Sequence, residues 1–406
     1  MKGRARVAIV SFSTILVFLL VLGAVLGQEK TGGTAEPYRP LAVMSEVLAR
    51  VQSDYVEEPN FNSVTKGALH GLLESLDPYS SYLSPEEYRE YQKEGKGEAS
   101  IGIIASKRFG FMSVVATLPN SPAEKAGLQA SDMIESMDGQ STREMSIAEV
   151  TSRLEGSPGS VVKLSVVRER ASEPVPIEVR REIIGPPDIV SRIIAPDIGY
   201  LRVSTFPKDQ SQKIAARIKD LRRSGAKKFI LDLRDNALGE TEEGVATANL
   251  FLREGLIGYV QGQQYPRKSF LADSSKAICE EPLAVLVNDS TGGAAEIVAG
   301  AILDNHRGEV VGQKTFGIGA IQKLIPLEDG SALILSIAKY FTPAGKQIPE
   351  SGVTPSVPVE QERELIPLAK AGEVPPAPEP SKPREDAPLK RAIELLASPA
   401  GLQKAA

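Results

Sequence analysis

At 406 residues and a formal net charge of −5, the chain has room for two or three domains and lacks the basic excess that a nucleic-acid partner requires. One cysteine, Cys279, excludes an internal disulfide framework. Two histidines, His70 and His306, are too few for a histidine-rich metal site and lie in contexts that suit packing or surface roles, so no metal or other cofactor is expected.

The elements follow in chain order. Lys2, Arg4 and Arg6 precede an uncharged run of 21 residues from Val7 to Gly27. That exceeds the roughly 7 to 15 of a signal-peptide core and approaches the roughly 20 that span a bilayer. Positive charges ahead of it favour an inside N-terminus. Residues 1–32 are therefore expected to be a signal anchor or a cleaved signal peptide. Either puts the remainder in a bacterial cell envelope, anchored to the inner membrane and facing the periplasm, or exported.

Residues 37–95 carry apolar side chains at three- and four-residue spacing and predict a helical region. Within it, Ser84, Pro85 and Glu87 spell an N-cap, a first-turn proline and a capping-box glutamate. From 96 to 184 the texture changes to short strands broken by turn signals such as Asp138-Gly139, with a helix over "SIAEVTSRLEG". From 185 to 360 strand and helix alternate, which implies a layered α/β core with a largely buried sheet. Residues 361–406 are Pro- and Glu-rich, read as a linker, and end in a short amphipathic stretch, "LKRAIELLAS", expected to dock as a short C-terminal helix.

"NDSTGGAAEIVAGA", Asn288 to Ala301, reads as the start of a tightly packed helix that opens on Gly292 and Gly293. Glycine costs about 1 kcal/mol per helical position relative to alanine, so the pair needs a cause: close backbone approach, or a side chain that has been lost. "FGIGAIQ" is no dinucleotide fingerprint, because it lacks a third glycine and leads into another strand.

The run "NSPAEKAGLQASDMIESMDGQS" resembles a PDZ domain of the bacterial protease-associated type. The upstream "SIGII" is similar to that family's carboxylate-binding loop, so Ile101, Gly102 and Ile103 are the residues implied to hold a peptide terminus through backbone N–H groups. Around it, "DPYSSYLSPEEYREYQ", "GYLRVSTF", "LDLRDN", "EIVAGAILDNHRGEVVGQKTFGIGAIQ" and "KYFTPAGKQIPESGVTP" resemble, in unbroken order, the C-terminal processing (tail-specific) peptidases. The fold implied is a multidomain α+β and α/β chain: N-terminal membrane segment, helical region, PDZ module and layered peptidase-like core.

Members of that family use a serine nucleophile and a lysine base, with a glutamine four residues after the lysine. The resemblance carries these onto Gly293, Ile318 and Gln322, so only the glutamine stands. A glycine has no atom to attack with, and an isoleucine accepts no proton at any pH. The oxyanion region is carried onto the backbone N–H of Ala294 and onto the turn Ala237-Leu238-Gly239, where Leu238 replaces an expected glycine. The reading is a pseudo-peptidase that binds polypeptide C-termini or unfolded envelope proteins, or that partners an active peptidase relative. The alternative is an active serine-type endopeptidase using relocated residues, Ser290 or Thr291 with Lys314; a displacement of 1 Å already costs about 100-fold in rate. Thr291 is expected to cap the helix and Lys314 to face solvent.

Overall fold

The computed structural model describes residues 39–93, 97–108, 110–168, 173–361, 366, 368 and 385–398. The expected membrane segment at 1–32 lies outside the described residues. Among the described residues no helix is long and apolar enough to cross a membrane. The chain divides into two compact units, Met1–Ala68 and Leu69–Ala406. In the first, α1 (Arg39–Asp54) buries no residue and exposes Leu41 and Val47; α2 (Phe61–Glu74) follows it.

In the second unit, β1 (Ser81–Leu83) and α3 (Pro85–Lys93) come first. The capping box forms: Ser84 N–H donates to Glu87 Oε2 at 2.8 Å and Glu87 N–H to Ser84 Oγ at 3.3 Å. Strand β1 corrects the purely helical reading of 37–95. Three residues give no periodicity to read, and the strand exists because it pairs with residues 332–334, far along the chain.

A six-strand antiparallel sheet forms the centre of the module over 96–184. Its elements are β2 (Ala99–Ser100), β3 (Ile103–Arg108), β4 (Phe111–Thr117), α4 (Pro122–Lys125), β5 (Met133–Met137), β6 (Gln140–Ser141), α5 (Ile147–Leu154), β7 (Glu155–Gly156), β8 (Val161–Val167) and β9 (Val175–Arg180). The sheet order is β3-β4-β5-β8-β9, with β6 on β5 and β2 paired to β7. Asp138 and Gly139 both take positive φ, 49° and 82°, as a two-residue hairpin turn requires. Ser146 caps α5 by accepting from Glu149 N–H, and Val150 and Leu154 of that helix join Ile134, Val162 and Val166 in the module's core.

The core region follows with β10 (Val190–Ala195), β11 (Ile198–Arg202), α6 (Gln210–Arg223), β12 (Lys228–Asp232), α7 (Thr241–Asn249), β13 (Leu256–Gln261), β14 (Lys268–Leu271), β15 (Leu283–Val287), α8 (Ala294–Asp304), β16 (Glu309–Gly312), β17 (Ala320–Pro326), β18 (Ala332–Phe341), β19 (Val357–Pro358) and α9 (Ala387–Ala397). The expected buried sheet is β10-β11-β12-β15-β16-β19, parallel except for β10. Its strands read as continuous apolar runs, "LAVLV" in β15 being buried throughout, because both faces are covered. Apolar residues of α6, α7 and α8 share one cluster with Leu231, Val285 and Val310, while Ala392 and Leu396 of α9 share another with Ile230, Leu286 and Val311.

One expectation needs correction. A second, antiparallel sheet, β1-β18-β13-β14 with β17 on β18, is absent from the simple alternation read for 185–360, because its partners are scattered from residue 81 to residue 341. In the C-terminal stretch, helix α9 is a layer of the core, and Leu368 packs on the core of the PDZ-like module.

Candidate active-site region

Strand β15 delivers the chain into the loop 288–293, and that loop is fixed to the end of β12. Asn288 Oδ1 accepts from Asp235 N–H at 3.0 Å, Thr291 Oγ1 donates to the Leu233 carbonyl at 2.9 Å, and Gly292 N–H donates to the Asn236 carbonyl at 2.8 Å. Helix α8 starts at Ala294, so Gly293 is its N-cap and neither glycine lies inside it. Thr291 does not cap the helix as expected, since its hydroxyl is spent on the neighbouring strand. The cap role falls to Glu296, whose carboxylate accepts from Gly293 N–H at 2.9 Å.

The two glycines have different causes. A Cβ on Gly292 would stand 3.0 Å from Ile318 Cδ1 and 3.1 Å from Ala237 Cβ, so that position is glycine for close packing. Gly293 has open space instead, with Ala237 O the nearest atom to a Cβ at 3.9 Å. Its backbone sits at φ 59°, ψ −122°, a strained strand-to-helix elbow of the kind that presents a nucleophile. The conformation is present and the side chain is not.

Position 318 comes to the elbow as the resemblance implies. Gly293 N–H also donates to the Ile318 carbonyl at 3.1 Å. The Ile318 side chain packs with Ala237 and Phe316 of the core and with Ile104, Val115 and Ala116 of the PDZ-like module. Glu296 ties the two segments together, accepting from Gly317 N–H and Ile318 N–H at 2.8 Å each and from the Thr315 hydroxyl. Burial raises the Glu296 pKa to about 8, against the opposing pull of those hydrogen bonds. Sequence analysis does not single this residue out; the signal available was a glutamate three positions after a helix N-cap.

Gln322 lies on β17 and donates through Nε2 to the Tyr79 carbonyl at 2.8 Å. The Tyr79 hydroxyl bonds to Ser106 of β3, and burial pushes its pKa up to about 12, with that bond opposing and Glu296 adding to the rise. A cleft of about 580 Å³ opens beside Gln322, lined also by Tyr79, Tyr91, Ile147, Leu324 and Ile334.

In the turn Ala237-Leu238-Gly239, Gly239 takes φ 142°, and a Cβ there would lie 2.4 Å from Phe206, so glycine is obligatory. Leu238 is 47% exposed, and its carbonyl accepts from Phe206 N–H at 2.8 Å. Ala294 is the first helical residue, where backbone N–H groups have no partner within the helix. Ser290 and Thr291 are fully buried and Lys314 is exposed.

In the PDZ-like loop, Ile101 is buried and its carbonyl accepts from Ala123 N–H at 2.9 Å. Gly102, at φ 83°, donates its N–H to Ser100 Oγ at 3.1 Å. Ile103 begins β3. Among the described residues no His, Cys, Asp and Glu group could hold a metal ion.

Residues 197–359 match peptidase family S41, and residues 113–168 match the PDZ domain family. The carboxy-terminal-processing protease of Bartonella bacilliformis is 33% identical over 85% of this chain and 81% of its own length. The carboxyl-terminal-processing protease of Synechocystis is 35% identical over 77% and 75% respectively. Among solved structures, the photosystem II D1 C-terminal processing protease superposes with a TM-score of 0.65 at 26% identity, covering 88% of this chain and 91% of that one. Family matches, full-length relatives and shared fold agree: the chain belongs to peptidase family S41, with the carboxy-terminal-processing proteases.

Proposed function

We propose that this protein is a non-catalytic member of its family that binds polypeptide C-termini without cleaving them. One observation carries the reading: the elbow at Gly293 keeps the strained backbone of a nucleophile position, yet neither Gly293 nor Ile318 bears an atom that can attack a carbonyl or take a proton. Residues 101–103 and the cleft beside Gln322 are the surfaces that would receive the chain end. The N-terminal segment would hold the protein at the envelope membrane or be removed on export, and the partners would be unfolded envelope polypeptides or an active relative.

The test is a mass-spectrometric time course of the purified segment from Gly33 onward with an unfolded polypeptide ending in apolar residues, beside a fluorescence-anisotropy titration of a peptide with the same C-terminus. Intact substrate together with saturable peptide binding is the expected outcome. Fragments accumulating in proportion to protein concentration, and abolished by Ser290→Ala or Thr291→Val, would establish relocated chemistry and end the non-catalytic reading. The double variant Gly293→Ser/Ile318→Lys is expected to recover some cleavage.

A further inference from the structure

Gln361, past β19, and Asp386, before α9, bind the same side chain. Arg234 Nη1 donates to Gln361 Oε1 at 3.1 Å and to Asp386 Oδ1 at 2.8 Å, while Nη2 donates to Asp386 Oδ2 at 2.9 Å. Between these ends, Ile366 is held by the PDZ domain at both backbone groups. Its N–H donates to Gln129 Oε1 at 3.1 Å, and its carbonyl accepts from Arg168 Nη1. Leu368 packs on the domain's hydrophobic core.

The receiving groups are built into the domain. The Arg168 side chain is 10% exposed; its Nε and Nη2 are fixed by Asp132 at 2.7 and 2.6 Å, and Nη2 also donates to the Gly127 carbonyl at 2.7 Å. That leaves Nη1 aimed at the linker in one orientation, with no freedom left to lose on binding. Neither Gln129 nor Arg168 belongs to the carboxylate loop 101–103. In the sequence Ile366 precedes Pro367, and a residue before proline is biased to extended conformations, which suits Ile366 to recognition through its backbone.

We propose that the PDZ domain carries a second peptide-docking site, formed by Gln129 and Arg168 beside its core, that binds the main chain of an apolar peptide, and that its resident ligand is the stretch of this chain that carries Ile366 and Leu368. The site recognises main chain and apolar side chains, not a chain terminus, and it is independent of whether the elbow is catalytic.

Hydrogen–deuterium exchange on the full chain from Gly33 tests it. In the wild type, the segments containing Gln129–Asp132 and Ile366 should be protected. Ile366→Asp/Leu368→Asp should speed their exchange at least ~10-fold, because it removes the apolar contact while leaving the domain core untouched. A synthetic peptide, QERELIPLAKA, should restore protection of Gln129–Asp132 in the double variant at millimolar concentration. It should do little to the wild type, whose tethered segment already has a local concentration on the order of millimolar. Equal exchange in wild type and double variant, or failure of the peptide where a scrambled one fails equally, overturns the proposal; a Gln129→Ala variant that abolishes the peptide effect supports it.

Discussion

Glu296 grips Ile318: carboxylate oxygen Oε2 accepts the Ile318 amide at 2.8 Å, and the same oxygen accepts the Gly293 amide at 2.9 Å. One buried side chain thus holds together two positions 25 residues apart in sequence, the two onto which the resemblance carries a serine and a lysine.

Stability should fall with rising pH because of this residue. The folded pKa of about 8 lies above the roughly 4.3 of an unfolded glutamate, so between those values the native state binds the extra proton. The Glu296 contribution is complete below about pH 4.3 and is lost as pH rises through about 8, with a slope of at most about 1.4 kcal/mol per pH unit. Urea midpoints measured from pH 5 to 9 should show this fall in the wild type and not in Glu296→Gln. The variant should be about 2 to 3 kcal/mol less stable at pH 6, since its amide nitrogen faces backbone donors. Parallel pH curves would refute the assignment.

Gly293→Ser should fold. Space is open around the position, and the cost is the positive φ, about 1 to 2 kcal/mol for an L-residue. The single variant should remain without turnover, because Ile318 still supplies no base. Thermal melts and an overnight digest check both halves.

Ile318→Lys should be the costlier change. It places an ammonium among Val115, Ala116, Ile104, Phe316 and Ala237, with an expected loss of about 2 to 4 kcal/mol. Ile318→Val should cost only about 1 kcal/mol. Because that cluster joins the core to the PDZ domain, exchange in β4 should quicken in the lysine variant; unchanged β4 exchange would separate the cluster from the domain contact.

Asp386→Ala removes both the cap of α9, which accepts Leu389 N–H, and the fork to Arg234. The expected loss is about 1 to 3 kcal/mol. Arg234 keeps Asp232, to which it donates at 2.6 Å, so no buried charge is left unpaired. Burial works against the Arg234 charge, but Asp232 and Asp386 outweigh it and hold its pKa above the ordinary value. Truncation before α9 should be worse, since it uncovers Ile230, Leu286 and Val311, and light scattering should report aggregation.

What could be read directly were local features. The Ser84–Glu87 capping box, the Asp138-Gly139 hairpin and the apolar run of β15 each rest on interactions within a few residues, which residue type and spacing encode. The second sheet was not legible, because β18 draws its partners from Ser81–Leu83, Tyr259–Gln261 and Ala320–Pro326, and no periodicity announces pairing over such separations. Glu296 looked like an isolated charge in an apolar helix until the loop at 315–318 folded over it.

The sequence by itself determined which atoms are available: no hydroxyl at Gly293 and no amine at Ile318, since side-chain chemistry belongs to the residue wherever the chain goes. Only the tertiary structure decided that these two positions meet, that Glu296 holds them, that Ile318 packs against the PDZ domain, and that Ile366 and Leu368 dock on that domain. Those are contacts between distant segments, fixed by the path of the whole chain and by what each buried polar group must find as a partner.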